Sequence, residues 1–200
     1  MTKLVLVRHA ETIWHEENRY AGSSDIGLTT HGLEQAQALA RWAARANLVA
    51  VYSSDLARAV RTARLAAAAS GHSLITDPAL REVDFGRGEG LTRAEMAKEF
   101  PEDLARFLQR PATVPLPGGE SGHTALGRAL PALRAISDRH DGTVLIVMHS
   151  TLVRLALCAL LGLDPDRYRR ILPAVANCAL TTVSLRDDGT QLLGYNVPVI

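Results

Sequence analysis

The run Thr-Val-Leu-Ile-Val-Met at residues 143–148 constrains the fold of this chain more than any other feature. A continuous β-branched and aliphatic run of this length is typical of a strand buried on both faces of a parallel sheet. The run Leu-Val-Leu-Val at residues 4–7 has the same character, and residues 48–52 form a third such segment. The sequence therefore predicts a central sheet that is mostly parallel.

Segments with helical spacing of apolar residues alternate with these runs, which predicts helices at residues 30–46, 56–70, 124–140 and 150–161. A further strand is predicted at residues 74–76, and a hairpin of strands 178–185 and 191–195 around the turn signal Asp-Asp-Gly at 187–189. The alternation indicates one α/β domain over residues 1–200. Its expected form is a three-layer α/β/α sandwich with a mostly parallel central sheet.

The regular alternation weakens between the third strand and the helix at 124–140. Residues 92–95, Thr-Arg-Ala-Glu, have the form of a capping box, and residues 101–110 predict a second short helix. Residues 111–119 contain three prolines and two glycines. We expect the excursion at about 92–121 to be a small helical and loop cap, because it is too short to hold an apolar core of its own.

The charge balance, 22 basic against 21 acidic residues, produces no global field that would attract nucleic acid or an anionic membrane. Any anion site must therefore be local. The chain has two cysteines, no apolar run of membrane-spanning length and no signal-peptide pattern. The expectation is a cytoplasmic protein without nucleic-acid or membrane partners. The oligomeric state is left open, with a homodimer as one alternative.

Two predicted strands end in histidine, at His9 and at His149. In open α/β sheets, ligands bind beyond the carboxyl ends of the strands, so both rings are candidates for one crevice. Arg8 stands at the mouth of its strand, where a buried guanidinium needs an anion. Arg58 lies near the start of a helix on the same side of the sheet, beside free backbone N–H groups. This combination favours a phosphate pocket, since the arginine fork donates in pairs to phosphate oxygens.

Other residues complete the candidate site. Histidine attacks phosphorus only through an unprotonated ring nitrogen, and neighbouring arginines favour that neutral form. Glu82, in the irregular segment after the third strand, is a candidate proton donor for the leaving group. Ala21 and Gly22 are small enough for their backbone amides to approach a phosphate.

A set of ordered motifs resembles the histidine phosphatase superfamily, in its phosphoglycerate-mutase-like branch. The first, Val-Arg-His-Ala-Glu-Thr at residues 7–12, is similar to the family signature Arg-His-Gly-Glu-Thr/Ser. Further matching segments lie at residues 17–22, 53–59, 80–82, 85–86, 89–92 and 117–121, and at His149. The resemblance therefore spans nearly the whole chain.

The resemblance implies hydrolysis of a small phosphorylated metabolite through a covalent phosphohistidine, without metal or cofactor. It makes His9 the nucleophile, Arg8 and Arg58 the clamp on the phosphoryl oxygens, and His149 a stabiliser of the transferring group. Glu82 becomes the general acid and then the base that activates water.

The chain departs from the family pattern at several positions. Ala10 replaces the usual glycine. His15 stands where many members have an asparagine that donates to phosphate, and a histidine there is expected to bind substrate too. Ser150 and Thr151 replace the frequent Gly-Gly or Gly-Asn, which makes Ser150 a candidate substrate contact on one wall of the pocket.

Three alternatives remain open. A phosphoglycerate mutase would use the same phosphohistidine, but the resemblance implies a tyrosine where this chain has Phe85 and paired cap arginines that bind the substrate carboxylate. The cap has Arg106 and Arg110, which are not adjacent. A metallohydrolase would need His9, Glu82 and His149 as ligands, and Arg8 would repel the cation. A catalytically dead binding module is disfavoured because every candidate catalytic residue is present.

Overall fold

The computed structural model describes residues 2–186 and 189–199. Within them, six strands form one sheet in the order β3-β2-β4-β1-β5-β6. The strands are β1 (Lys3–Arg8), β2 (Leu48–Ser53), β3 (Leu74–Thr76), β4 (Thr143–Met148), β5 (Leu180–Arg186) and β6 (Gly189–Val197). Strands β1 to β4 pair in parallel, whereas β5 and β6 are antiparallel. The predicted mostly parallel sheet is confirmed; residues 187 and 188 of the predicted turn lie outside the described residues.

The strand 143–148 is central, as its composition predicts. β4 lies between β2 and β1, with Met148 in register with Arg8 and Val147 in register with Ser53. This register makes the three parallel strands end at the same edge of the sheet. The residues that follow them therefore begin their loops side by side.

Helices cover both faces of the sheet. On one face lie α1 (Thr30–Ala43) and α2 (Ala57–Ala69), and on the other α5 (Gly122–Arg139) and α6 (Ser150–Leu160). Alternate residues of β1 divide between the two hydrophobic clusters: Leu4 and Leu6 pack with α5 and α6, and Val5 and Val7 with α1 and α2. The predicted α/β/α arrangement is confirmed, with helix ends within about three residues of those expected from the sequence.

The cap contains α3 (Arg93–Glu99) and α4 (Pro101–Gln109), and the short helix α7 (Tyr168–Ile171) lies after α6. The predicted capping box opens α3: the Thr92 hydroxyl accepts from the Glu95 amide, and the Glu95 carboxylate accepts from the Thr92 amide. The cap side chains Phe100, Leu104 and Phe107 belong to the cluster under α5 and α6. No helix in the described residues is long and apolar enough to span a membrane.

Candidate active site

The two strand-end histidines meet at the carboxyl edge of the sheet. The His9 amide donates to the Met148 carbonyl at 2.9 Å, and His149 is the N-cap residue of α6. Their ring centroids are 5.2 Å apart, and both side chains are buried. The sequence predicted that the rings of His9 and His149 face one crevice because each follows a strand end. Their separation of 5.2 Å agrees with this prediction.

The His9 ring is held in one tautomer. Its Nδ1 lies 2.7 Å from the Ala10 carbonyl oxygen, which can only accept, so Nδ1 carries the hydrogen. Burial, followed by the charges of Arg58 and Arg8, holds the pKa of His9 well below its ordinary value of 6.5. The ring is therefore neutral, and Nε2 has a free lone pair.

The His149 ring is fully buried, and neither of its nitrogens has a hydrogen-bond partner within the described chain. Burial lowers its pKa well below 6.5, and the guanidinium of Arg58 is the next largest cause. A neutral imidazole keeps one N–H donor. Among the residues described, that donor has no acceptor, which makes it a candidate donor to a ligand.

Arg58, in the first turn of α2, is fully buried. Its Nη1 donates to the Ser24 carbonyl at 2.8 Å, and its Nη2 donates to the carbonyls of Gly22 (2.7 Å) and Ala21 (3.1 Å). Its Nε has no partner among the residues described. Burial lowers the pKa of Arg58 from 12.5. The loop therefore fixes one edge of the guanidinium and leaves Nε for a ligand.

Ala21 and Gly22 thus support Arg58 through their carbonyls. The Gly22 amide, expected to approach phosphate, donates instead to both oxygens of Glu89, at 2.8 and 3.0 Å. Glycine is required there because a Cβ would lie 2.6 Å from the Val83 carbonyl oxygen. Ala21 lines the cavity described below.

Arg8 is held in a similar way. Its Nη1 donates to the Val175 carbonyl at 2.9 Å, its Nη2 lies 2.5 Å from His15 Nε2, and its Nε has no partner in the described part of the chain. Burial lowers the pKa of Arg8 to about 10. Because a guanidinium can only donate, His15 Nε2 is the acceptor.

His15, which is expected to bind substrate, has its Nε2 directed at Arg8 and lines the cavity described below. The other ring nitrogen, Nδ1, faces Thr12: it lies 3.0 Å from the Thr12 amide nitrogen, which donates to it, and 2.8 Å from the Thr12 hydroxyl. Burial, then the charge of Arg8, lowers the pKa of His15 to about 4, which keeps the ring neutral. His15 therefore contacts Arg8 as a neutral ring, and its expected contact with substrate stays a prediction.

The Glu82 carboxylate lies at the N-terminus of α6. Oε2 accepts from the Thr151 amide at 2.9 Å, and Oε1 accepts from the amides of Leu152 (2.9 Å) and Val83 (3.0 Å). These three bonds fix the orientation of the side chain, which is 7% exposed. Ser150, the first residue of α6, lines the cavity described below.

A cavity of about 750 Å³ opens beside His9 and Glu82. Its lining includes six of the predicted residues, namely Arg8, His9, His15, Ala21, Glu82 and Ser150. The other three, Gly22, Arg58 and His149, do not line it; Arg58 and His149 are fully buried. Residues that the sequence did not indicate also line it, including Tyr168, Arg93, Arg154 and Arg169. These last come from the cap, α6 and α7. In the sequence, the only signal from the three arginines was their charge, and charge does not distinguish a residue in a pocket from one on a solvated surface.

The unpartnered nitrogens decide what this site can bind. Buried polar atoms without partners are rare, yet Arg8 Nε, Arg58 Nε and the His149 ring nitrogens all lack one within residues 2–186 and 189–199. Their donors fit an oxyanion such as a phosphoryl group. No group of three or more His, Cys, Asp or Glu side chains in those residues is arranged to hold a metal ion.

The model of the histidine phosphatase superfamily, branch 1, matches residues 4–198. The chain belongs to this family. The prediction made from the ordered motifs is confirmed, and with it the class of reaction, since histidine phosphatases act through a phosphohistidine.

Two curated relatives resemble this chain over nearly its full length. Phosphoserine phosphatase 1 of Hydrogenobacter thermophilus is 37% identical over 98% of this chain and 93% of its own. The probable phosphoglycerate mutase GpmB of Yersinia pestis is 33% identical over 98% of this chain and 90% of its own.

Two solved structures superimpose closely on this chain. YhfR of Bacillus stearothermophilus has a TM-score of 0.91 and 30% identity, covering 98% of each chain. A mycobacterial glucosyl-3-phosphoglycerate phosphatase, in complex with VO3, has a TM-score of 0.88 and 27% identity, covering 98% of this chain and 99% of its own.

Proposed function

We propose that this histidine phosphatase hydrolyses monoesters of small phosphorylated metabolites and that His9 is its nucleophile. One observation carries the proposal: the free Nε2 lone pair of His9 lies among buried arginine and histidine nitrogens that have no partner in the described chain. A phosphoryl group spreads charge over three oxygens during transfer, so fixed donors around it supply most of the catalysis.

In the first half-reaction, His9 Nε2 forms a bond to phosphorus as the ester P–O bond breaks. Arg8, Arg58 and His149 donate to the equatorial oxygens, and Glu82 gives a proton to the departing alkoxide. The products are an alcohol and phosphohistidine.

In the second half-reaction, water attacks the phosphohistidine, and Glu82 takes up its proton. The P–N bond breaks, and inorganic phosphate leaves with neutral His9 restored. Glu82 is placed for both steps because bonds from the Thr151 and Leu152 amides hold its carboxyl group in one orientation, as the acid in the first step and as the carboxylate in the second.

Named relatives support a hydrolase and also keep a mutase as second candidate. One relative is named a phosphoserine phosphatase, and another a probable phosphoglycerate mutase. The absence of a cap arginine pair favours the hydrolase: Arg106 pairs with Asp103 and Arg110 with Asp166, and neither lines the cavity. The cap arginine in the lining, Arg93, has no arginine next to it in the sequence.

The proposed surroundings are those of a cytoplasmic enzyme acting on free metabolites. Both cysteines are buried free thiols, as is usual in a reducing compartment. The net charge of +1 supports the absence of nucleic-acid and membrane partners.

The nucleophile is tested by His9→Ala. We expect p-nitrophenyl phosphate hydrolysis to fall by about 10³-fold or more, since covalent catalysis is lost. Rapid quench of the unaltered enzyme should trap an acid-labile phosphoenzyme that the variant lacks. His31→Ala, which changes an exposed histidine, is the control and should keep both signals. A phosphoenzyme in His9→Ala would contradict the assignment.

Incubation with 3-phosphoglycerate and a 2,3-bisphosphoglycerate primer separates the two candidates. A hydrolase releases inorganic phosphate. Rapid isomerisation without phosphate release would establish the mutase instead.

A further inference from the structure

The cavity in front of His9 carries more positive charge than one phosphoryl group requires. The charged residues in its lining are Arg8, Arg19, Arg93, Arg154, Arg169 and Glu82. Arg19 is already paired with Glu17 and Glu95, and Arg8 faces the proposed phosphoryl position. The other three arginines have no carboxylate within 4.0 Å in the part of the chain that the structure describes.

Arg169 has an unused donor. Its Nε donates to the Tyr168 hydroxyl at 2.8 Å, and its guanidinium carbon lies 4.9 Å from the centre of the Phe107 ring. These contacts fix the plane of the guanidinium. Its Nη1 is buried without a partner among the described residues, and stacking does not satisfy that hydrogen-bond donor.

Tyr20 joins this region to the phosphoryl site. Its hydroxyl oxygen lies 3.3 Å from Arg93 Nε and 3.5 Å from Arg169 Nη2. The next residue, Ala21, accepts from Arg58 through its carbonyl. The same loop therefore positions the guanidinium proposed to hold the phosphoryl group and the hydroxyl between two unpaired arginines.

Arg154 also lies against the Tyr168 ring. Its guanidinium carbon lies 4.7 Å from the Tyr168 ring centre, and its Nε donates to the Ser150 carbonyl at 3.0 Å. We call Tyr20, Arg93, Arg154 and Arg169 the outer cationic group.

We propose that the outer cationic group binds a second anionic group of the substrate, a carboxylate or a second phosphate. The natural substrate is then a phosphomonoester with two anionic ends. This inference rests on the proposed function for the reacting end, but the outer end is a separate binding determinant. Planar arginines fixed by stacking suit it, because carboxylate and phosphate both accept paired N–H donors.

The test compares two phosphomonoesters that differ at one end. 3-Phosphoglycerate has a carboxylate where glycerol 3-phosphate has a hydroxymethyl group. We expect kcat/KM for phosphate release to favour 3-phosphoglycerate by about ten- to a hundredfold, as charge-assisted hydrogen bonds predict. The second pair is fructose 1,6-bisphosphate and fructose 6-phosphate, which differ by one phosphate. The pair with the larger ratio of kcat/KM values identifies whether the preferred second anion is a carboxylate or a phosphate.

Arg169→Gln should bring the preferred ratio down toward one. Tyr20→Phe, which removes only the hydroxyl, should lower the ratio in the same direction and covers the case in which Arg169→Gln does not fold. The matched control is Arg87→Gln: Arg87 also stacks on an aromatic ring, Phe100 at 5.1 Å, but lies outside the cavity lining. It should leave the ratio unchanged.

Calorimetric binding to the His9→Ala variant separates this inference from the proposed function. Tighter binding of the two-anion ester, lost on adding Arg169→Gln, supports the second anion site even if turnover is absent. Equal dissociation constants within both pairs would overturn it, while hydrolysis of p-nitrophenyl phosphate by the unaltered enzyme would leave the proposed function standing.

Discussion

Glu82 is the residue whose chemistry depends most on the substrate. If Glu82 protonates the leaving group, Glu82→Gln should lower kcat/KM for glycerol 3-phosphate by about 10²- to 10⁴-fold. The loss should be about tenfold or less for p-nitrophenyl phosphate, because nitrophenolate leaves without a proton. Steady-state rates on the two esters give this comparison.

Glu34→Gln, an exposed position on α1, is the matched control and should change neither rate. Glutamine replaces one oxygen that accepts backbone amides, so thermal unfolding should accompany the kinetics. Equal losses on both esters would mean that Glu82 positions substrate without transferring a proton.

At the scale of single residues, the sequence identified the groups that end strands or begin helices, such as His9 and Arg58. It did not indicate that His15 accepts from Arg8, because that contact depends on the direction in which a short loop turns. Asn177, which donates to the His9 carbonyl at 2.7 Å, was also missed. It is 168 residues away along the chain, and no local pattern connects the two.

At the scale of elements, one α5 side chain holds the segment that carries Glu82. Arg128 donates to the carbonyls of Ala79, Arg81 and Glu82 at 2.7–2.9 Å and pairs with Glu120. Arg128→Lys should destabilise the protein by ~1–3 kcal/mol, since several carbonyls lose their donor. Because Arg128 positions the segment that carries Glu82, Arg128→Lys should also lower the rate on glycerol 3-phosphate more than the rate on p-nitrophenyl phosphate. This difference should be smaller than the one expected for Glu82→Gln.

The exposed Arg134 lies on the same helix, so Arg134→Lys is the control and should leave stability and both rates unchanged. Rates on the two esters and urea unfolding measure these effects. A uniform loss on both esters would assign Arg128 a purely structural role.

The six strands and helices α1 to α6 were predictable because burial dictates their composition, whereas α7 was not predicted. Strand β4 is apolar because it is covered on both faces, and the capping box of α3 is visible in four consecutive residues. The outer wall of the cavity was not predictable. It joins α3, α6 and α7, and only tertiary packing places Arg93 beside Tyr20 and Arg169.

At the scale of the whole molecule, the neutral histidines of the site couple its stability to pH. The pKa values of His9, His15 and His149 are all lowered in the folded chain, mainly by burial. The unfolded chain binds these protons near pH 6.5, whereas the folded chain does not. The free energy of unfolding is therefore highest above about pH 6.5 and falls as the pH drops toward the folded pKa values, about 4 for His15.

The unfolded chain binds more protons than the folded chain at these pH values, and His149→Gln should reduce that difference by one proton. The slope of unfolding free energy against pH, measured by urea denaturation in steps from about pH 6.5 to about pH 5, should then flatten by up to ~1.4 kcal/mol per pH unit. The slope is informative even if the variant is less stable throughout, because a packing defect lowers stability equally at every pH. His31→Gln, at an exposed position, should keep the original slope. An unchanged slope in His149→Gln would mean that the His149 ring is already protonated in the folded protein. Both ring nitrogens would then carry hydrogens, so His149 would offer the phosphoryl group two N–H donors in place of one.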